Sequence, residues 1–283
     1  MKIKITADST ADLSKEILEK ENISISSLNI LLGEKEYLDG VNITPTNIFD
    51  HFNKTGQLPK TAALNSENYK EFFEKFLSDG YDAIVHFSIS SDFSTSYSSA
   101  VSAASELKNV FVIDSRSLST GIGLLTLYAC DLVKENVEAE KIVEMVKERV
   151  PFVQASFVVD SLLFLHKGGR CSTIAYLGAN LLGLKPSIEV KNGKMGVSKK
   201  YRGPLVKVAG NYAHDILEKY SNPSRRRVFI THSCSPQEVV DCIYKILVDS
   251  GKFDEILITT AGATVSSHCG KNTIGVLFIN DGK

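Results

Sequence analysis

One short apolar run in this chain ends directly in a cluster of hydroxyl side chains. Residues 83–88 (AIVHFS) have the composition of a buried strand, residues 90–100 (SSDFSTSYSSA) follow, and residues 100–107 are helical in composition. A strand that turns into a helix presents the unpaired N–H groups and the partial positive charge of the first helical turn. No acidic residue lies between Asp92 and Glu106 to repel an anion. The pattern predicts a carboxylate or phosphate site, with a serine-rich helix cap as the alternative.

Composition narrows the classes of function. The 283 residues are 43% hydrophobic and 23% charged, and the formal net charge is -1. This length allows one large α/β domain or two of ordinary size. Residues 225–227 (RRR) form the longest basic run, which we interpret as a solvated turn, so no nucleic acid is expected as a partner. No signal peptide is recognised, and no apolar run approaches the roughly 20 residues of a membrane span, so stable membrane insertion is not expected.

The cysteines are odd in number and show neither a CxxC motif nor a metal-ligand spacing. We interpret them as reduced thiols, which indicates a cytoplasmic protein without a disulfide framework. Neither a metal nor a cofactor is expected. The cysteines are Cys130, Cys171, Cys234, Cys242 and Cys269.

Strand and helix patterns alternate through the first half of the chain. Strand patterns cover residues 2–7, 23–32, 83–88 and 110–114, and helical patterns cover 65–77 and 121–133. Such alternation predicts a parallel sheet with ligand loops at the carboxyl ends of its strands. We expect Ser9 or Asp12 to cap the helix that follows the first strand.

A second pattern begins near residue 151. It starts with a strand at 154–159, an apolar helix at 174–184, a hairpin around residues 191–193 and a helix at 205–219. A strand, a helix and two further strands follow and end at 280. We therefore predict an N-terminal α/β domain over residues 1–150 and a C-terminal α/β domain over residues 151–283. His268 falls in residues 261–275, which we interpret as a Gly- and Ser-rich connector between two strands.

Taken together, the order and spacing of several segments resemble the DegV family of bacterial fatty-acid-binding proteins. Each segment is weak alone, but the set in this order is specific and spans nearly the whole chain. The segments are 5–13 (ITADSTADL), 60–61 (KT), 90–97 (SSDFSTSY), 112–118 (VIDSRSL), 162–172 (LLFLHKGGRCS), 184–186 (LKP), 193–194 (GK) and 262–270 (GATVSSHCG).

The resemblance implies a two-domain α/β fold, with a parallel sheet in the N-terminal domain, a mixed sheet in the C-terminal domain and a long-chain fatty acid of about C16–C18 between them. The loop at 54–66 would contribute to the second domain. The family resemblance further implies that the protein presents the acyl carboxylate to a separate ATP-dependent fatty acid kinase subunit, and that the acyl phosphate feeds phospholipid synthesis. The chain itself would be a lipid-binding protein and not an enzyme.

Carried onto this sequence, the resemblance makes Thr61, Ser94 and His268 the carboxylate ligands, with Thr95 and Ser96 of the same loop as further donors. Arg170 and Lys167, in the turn Lys167-Gly168-Gly169-Arg170, would lie at the rim or contact the kinase.

Three stretches depart from the usual pattern of the family. Residues 61–64 read TAAL where TSQP is usual, residues 94–97 read STSY where SGTY is usual, and residues 270–272 read GKN where GPG is usual. The hydroxyl donors are kept, while the loop geometry and kinase recognition are put in question.

Burial of the acyl chain would supply most of the affinity. About 14 methylenes at ~0.8 kcal/mol each give roughly 11 kcal/mol of gross burial energy, against several kcal/mol lost on association. Residues 174–184 and 118–127 are the predicted tunnel segments, with plain core packing as the alternative.

Two other functions stay open from the residues alone. A stand-alone Ser/His hydrolase with His268 as base would lack the usual G-x-S-x-G elbow. A phospho-ligand-binding protein that uses the loop at residues 90–100, here called the serine loop, would lack a Walker A or G-x-G-x-x-G sequence.

Overall fold

The computed structural model describes residues 1–171 and 183–283. The strands of the first half are β1 (Ile3–Asp8), β2 (Ser24–Ser26), β3 (Asn29–Leu32), β4 (Lys35–Leu38), β5 (Lys60–Ala62), β6 (Ala83–Ser88) and β7 (Val110–Asp114). Its helices are α1 (Lys15–Lys20), α2 (Pro45–Thr55), α3 (Ser66–Ser78), α4 (Ser96–Ser105), α5 (Thr120–Lys134) and α6 (Ala139–Arg149). The described elements of the second half are β8 (Val153–Val158), α7 (Leu163–Gly168), β9 (Leu184–Lys191), β10 (Lys194–Arg202), α8 (Leu205–Lys219), β11 (Val228–Ser233), α9 (Gln237–Ser250), β12 (Ile256–Thr260), α10 (Ala263–Cys269) and β13 (Thr273–Ile279).

Two large sheets confirm the predicted α/β fold class. The first sheet has the order β2-β1-β6-β7 and is parallel throughout. The second has the order β10-β9-β8-β13-β11-β12, in which β11 and β12 are parallel and the other neighbours are antiparallel. The sequence therefore predicted both the parallel and the mixed sheet correctly. The domain boundary near residue 150 falls between α6 and β8 and stays a prediction.

Helix α5 lies between the two large sheets. It contacts β1 and β6 of the first sheet and β8 and β13 of the second. Nearly all of its residues are buried, which is expected of a helix that is apolar on every side. One hydrophobic core therefore runs from one half of the chain to the other.

The run at residues 23–32 was predicted as a single strand, and this is wrong. It forms β2, which extends the parallel sheet beside β1, and β3, which belongs to a small antiparallel sheet of order β4-β3-β5. No sequence pattern predicts β4 or β5, because short, exposed strands are stabilised by their pairing partner more than by their own composition. The loop predicted to reach the second half contains β5, and β5 contacts α10.

The capping prediction for the first helix is also wrong. Ser14, and neither Ser9 nor Asp12, caps α1 by accepting a hydrogen bond from the Ile17 N–H at 3.4 Å. Asp12 has a left-handed backbone, with φ at 53°, and is 5% exposed. Its carboxylate serves a different helix, as described below.

His268 does not lie in an irregular connector, because residues 263–269 form helix α10. The segment is rich in Ser, Thr and Val, which are indifferent helix formers, so local propensity gave no helix signal. Tertiary hydrogen bonds to the first N–H groups of α10 stabilise the helix instead.

The hairpin predicted at residues 191–193 is confirmed between β9 and β10. Its turn packs on the serine loop of the first half, where Ser90 Oγ donates to Gly193 O at 2.9 Å and Arg116 donates to Asn192 O. Gly193 has φ at 80°, and a Cβ there would come within 2.6 Å of Arg116 Cζ. The apolar helix predicted at 174–184 lies outside the described residues, apart from its last two.

The basic run at 225–227 is not simply a solvated turn. Arg226 and Arg227 both pair with Asp131 of α5, at 2.6 Å each, and the Asp131 side chain is only 4% exposed. The pairing joins the start of β11 to the central helix. Among the described helices, none has the length and apolar character needed to cross a membrane.

We predict that Arg227→Ala lowers the free energy of unfolding by about 3 kcal/mol, because it removes one partner of a buried carboxylate. Arg225→Ala is the matched control, since Arg225 pairs with Asp254 on the surface, where both side chains are about two-thirds exposed. The control should cost less than ~1 kcal/mol. Urea denaturation of the three proteins measures the difference, and equal costs would contradict a structural role for the pair with Asp131.

Candidate functional site

A cavity of about 900 Å³, measured to its open mouth, lies between the two halves of the molecule. Its apolar lining residues come from both halves, and they are Leu28, Ala62, Ala63, Ile89, Phe93, Leu118, Phe157, Leu165, Met195, Ala261, Val265 and Leu277.

Several lining residues follow the carboxyl ends of strands in the parallel sheet. Thr10 follows β1, Ile89 and Phe93 follow β6, and Leu118 follows β7. Loops at the carboxyl ends of parallel strands converge on one edge of a sheet, where ligands of open α/β folds bind. The cavity therefore lies where the alternating pattern predicts a site.

Thr61 and His268 meet at the cavity wall. Thr61 Oγ1 and His268 Nε2 are 2.8 Å apart, although 207 positions separate them in sequence. Thr61 is held in β5 opposite Ile30, and His268 is on α10. The other ring nitrogen, Nδ1, is buried with no hydrogen-bond partner among the described residues. Gly168 permits the close approach, since a Cβ at that position would lie 2.6 Å from Nδ1.

The electrostatics of the cavity favour an anion. Burial, with a further contribution from the positive charge of Arg170, lowers the pKa of His268 to about 4, so its imidazole is neutral at neutral pH. Burial also lowers the pKa of His232. Among the described lining residues there is no carboxylate, and Arg170 carries the one full charge.

The three predicted donors of the serine loop, Ser94, Thr95 and Ser96, differ in burial and in whether they line the cavity. Ser94 is half-buried and lines the cavity. Ser96 is buried behind it, with the two Oγ atoms 2.8 Å apart, and its N–H donates to Ser94 Oγ at 3.2 Å. Thr95 is exposed. Neither Thr95 nor Ser96 is among the lining residues, so Ser94 is the one of the three that lines the cavity.

Lys167 lies in the last turn of α7, and Arg170 follows two residues after that helix ends. Both are exposed, Arg170 lines the cavity and donates to Gly168 O at 2.8 Å, and Lys167 is not a lining residue. Arg170 is therefore placed to meet a ligand or a partner near the opening, and Lys167 faces solvent.

Buried Asp8 fixes the start of the serine loop. Its carboxylate accepts hydrogen bonds from Ser88 Oγ at 2.7 Å, Ile89 N at 3.0 Å and Tyr69 Oη at 2.6 Å. These bonds hold the end of β6, where the chain turns toward Ser94. The sequence marked Asp8 only as part of a motif, because its partners come from β6 and α3.

Two further acidic side chains hold the beginning of α10, and no sequence pattern predicts that role for them. Asp12 accepts from Gly262 N at 2.7 Å, and Asp39 accepts from Ala263 N at 2.8 Å. Both side chains belong to the first half of the chain and both residues are buried. We call Asp12 and Asp39 the carboxylate clamp. The clamp satisfies N–H groups that a helix leaves unpaired, and it fixes the helix that carries His268.

The predicted tunnel segment at 118–127 contributes less than expected. Leu118 and Ser119 line the cavity, but residues from Thr120 onward belong to α5 and are packed in the core. The other predicted tunnel segment, 174–184, lies almost entirely outside the described residues.

A family model for DegV proteins matches residues 2–281. A DegV domain-containing protein from Clostridium acetobutylicum is 32% identical over 280 residues, covering 98% of each chain. This chain belongs to the DegV family.

Solved structures of DegV proteins show the same fold. A DegV family protein from Thermus thermophilus, described by its fatty acid binding, superposes with a TM-score of 0.92 at 26% identity and covers 99% of this chain and 100% of that chain. A stearic acid-binding protein from Eubacterium ventriosum has a TM-score of 0.84 at 28% identity and covers 98% of both chains. The resemblance inferred from short motifs is therefore confirmed at the level of family and fold.

The carboxylate clamp should give the protein a characteristic dependence of stability on pH. Burial raises the pKa of Asp12 to about 8, with hydrogen bonds from Ser119 and Gly262 opposing the shift and the charge of Asp39 adding to it. An unfolded Asp titrates near ~3.9. The folded protein therefore binds an extra proton between those pH values, so stability falls as pH rises from about 4 to about 8, by up to about 1 kcal/mol per pH unit.

We predict that Asp12→Asn flattens this dependence, because the amide keeps an acceptor for Gly262 N and does not ionise. Denaturation midpoints measured from pH 5 to pH 8 compare the variant with the wild type. Asp249→Asn, at an exposed position of α9, serves as the control and should keep the wild-type slope. An unchanged slope in Asp12→Asn would refute the assignment.

Proposed function

We propose that this chain binds one long-chain fatty acid, of about C16–C18, in the cavity between its two halves. The observation that supports this most is the largely apolar cavity, of about 900 Å³ including its open mouth. The polar side chains of its wall are neutral donors, and the one charged side chain among the described lining residues, Arg170, is exposed. Two related proteins of the same fold are described as binding fatty acid and stearic acid. In this proposal Thr61, Ser94 and His268 hold the carboxylate.

Affinity and orientation would come from different groups. About 14 buried methylenes supply roughly 11 kcal/mol of gross affinity, while each hydrogen bond to the charged carboxylate adds roughly 1.5–3 kcal/mol. The apolar wall then determines how tightly the ligand binds. The hydroxyls of Thr61 and Ser94 determine which way the head group points.

The neutral donor set suits a carboxylate that reacts afterwards. An arginine that bound both oxygens would reduce their nucleophilicity, whereas hydroxyls and a neutral imidazole leave them reactive.

We propose that a separate ATP-dependent fatty acid kinase subunit docks at the exposed side, near Arg170 and Lys167. There a carboxylate oxygen attacks the γ-phosphorus of ATP, the bond to the β-phosphate oxygen breaks, and ADP leaves. The acyl phosphate would enter phospholipid synthesis in the cytoplasm.

A stand-alone hydrolase is less well supported. Thr61 and His268 have the spacing of a nucleophile and its base, but a catalytic histidine is oriented by a third group at its other nitrogen. His268 Nδ1 has no partner among the described residues, and its low pKa opposes a role as general base near neutral pH.

A phosphate ligand is also less well supported. Phosphate carries up to two negative charges, and Arg170 is the one cationic side chain among the described lining residues.

Native mass spectrometry of the protein, purified after expression in bacterial cytoplasm, tests the proposed function. We expect an added mass of a few hundred daltons that denaturation in organic solvent removes, and gas chromatography of the extract should identify a fatty acid. A delipidated sample that fails to take up stearic acid would refute the proposal. Turnover of acyl esters by the pure protein would favour the hydrolase instead.

We predict that Ser94→Ala reduces acyl-phosphate formation at least about a hundredfold with a cognate kinase but weakens fatty-acid binding only about tenfold, the effect of one lost hydrogen bond, because the hydroxyl also orients the head group for reaction. Binding of a labelled fatty acid and kinase-coupled turnover measure the two effects. Ser98→Ala is the control, since Ser98 is exposed on α4 and is not a lining residue. An equal loss of affinity and turnover would refute this division of roles.

A further inference from the structure

Three segments, each of which includes part of the DegV pattern, meet at a place that the proposed function leaves without a role. They are the start of the serine loop at residues 90–92, the turn after β7 that contains Arg116, and the hairpin turn at residues 192–194. The first two belong to the first half of the chain and the third to the second half. None of these residues is among the described lining residues of the cavity. We call the place where they meet the Arg116 junction.

Polar contacts join the two halves at the Arg116 junction. They are Ser90 Oγ to Gly193 O at 2.9 Å, Arg116 Nη2 to Asn192 O, and Lys194 Nζ to Asp92 Oδ1 at 3.6 Å. The Ser90 bond is buried, but the Arg116 side chain is 37% exposed and that of Lys194 is 74% exposed. Exposed polar contacts add little to stability, so most of this junction separates at small cost.

The guanidinium of Arg116 is held in place for its part in the junction. It lies 2.7 Å from Asp92 Oδ2 and 3.6 Å from Asp114 Oδ2, and it donates to Ser91 Oγ at 3.0 Å. The Arg116 backbone has φ at 49°, a left-handed conformation that is uncommon for arginine and persists where the surroundings hold it. The side chain is therefore preorganised to meet the hairpin turn.

The cavity wall lies directly beside the junction in sequence. Phe93 follows Asp92 in the serine loop, and Met195 follows Lys194 in β10. Both Phe93 and Met195 line the cavity, and each is 8% exposed. A shift of the hairpin turn relative to the serine loop therefore moves a lining side chain of one half relative to a lining side chain of the other.

Other connections between the halves are more deeply buried. Helix α5 packs against both large sheets, and the carboxylate clamp joins the first half to α10 through Asp12 and Asp39, which are 5% and 1% exposed. Separating the halves there would expose apolar surface and leave buried polar groups without partners, because those contacts exclude water. The Arg116 junction is therefore easier to open than α5 or the clamp.

The tip of the hairpin can move without disturbing the rest of its sheet. Strand β10 is an edge strand, and its pairing with β9 shifts register between Val197 and Lys200. Such a bulge interrupts the ladder of hydrogen bonds and lets a strand bend. The turn and the first residues of β10, which include Met195, lie on the tip side of the bulge, while β9 stays paired with β8 as far as Val190.

We propose that the Arg116 junction is a latch, which opens to let the acyl chain pass between the serine loop and the β9–β10 hairpin and then closes over it. This inference rests on the proposed function, since it assumes a long-chain ligand in the cavity. Such a ligand has to reach lining side chains that are almost fully buried, such as Phe157 and Leu277. Movement of the hairpin tip opens the wall mainly at the cost of polar contacts.

Stopped-flow exchange of cis-parinaric acid, a fluorescent long-chain fatty acid, tests the latch in the delipidated protein. Arg116→Ala should raise the association and dissociation rates by the same factor, about tenfold, because it removes a charge-assisted hydrogen bond that the open form lacks. The dissociation constant should stay unchanged, since the closed form has this contact with and without ligand. Lys194→Ala removes a more exposed pair and should raise both rates about twofold. Arg225→Ala is the control, since the exposed pair of Arg225 with Asp254 does not join the halves, and it should leave both rates unchanged.

The outcomes separate the latch from the proposed function. If the wild type binds no fatty acid, the proposed function fails. If it binds but Arg116→Ala leaves both rates unchanged, the chain enters elsewhere and only the latch is refuted. A weaker affinity caused by faster dissociation alone would mean that Arg116 supports the bound state, which also refutes the latch. Thermal melting of the ligand-free proteins checks folding, and if Arg116→Ala does not fold, Lys194→Ala decides by the same criteria.

Discussion

The carboxylate clamp is the contact on which the cavity wall depends. Asp12 and Asp39, from the first half of the chain, accept hydrogen bonds from Gly262 N and Ala263 N at the start of α10. The sequence of α10 gives weak helix propensity, so these tertiary bonds determine that a helix forms there. His268 and Thr264 are both on α10 and both line the cavity. The functional wall of the second half is therefore built by carboxylates of the first.

The cavity wall avoids buried charge, and this determines what it can bind. Arg170 is exposed at the mouth, and burial together with this charge keeps His268 neutral. A carboxylate that enters gains hydrogen bonds from neutral donors, while its charge remains near the guanidinium at the opening. A site with buried arginines would hold the head group more tightly, but would make its oxygens poorer nucleophiles. The arrangement is consistent with the proposed presentation of an acid group to a partner.

The sequence predicted what periodicity and local motifs encode. The alternating elements predict the fold class. The strand-to-helix pattern points to the serine loop, and the family motifs point to Thr61 and His268; Ser94 of that loop, Thr61 and His268 all line the cavity. The helix at residues 263–269, the small sheet of β3 to β5 and the roles of Asp12 and Asp39 were not predicted. Each depends on partners far away in sequence, with 224 positions between Asp39 and Ala263, and such pairings leave no local pattern.

A bound acyl chain would occupy space inside the hydrophobic core. Ile89, Phe93, Leu118, Phe157 and Leu277 line the cavity and also belong to the core cluster that crosses α5. Unfilled apolar space forfeits packing contacts, and a ligand that binds only the folded state stabilises that state. Folding and ligand binding are therefore coupled through the same side chains. Because those side chains come from both halves, a ligand in the cavity would also hold the two halves together.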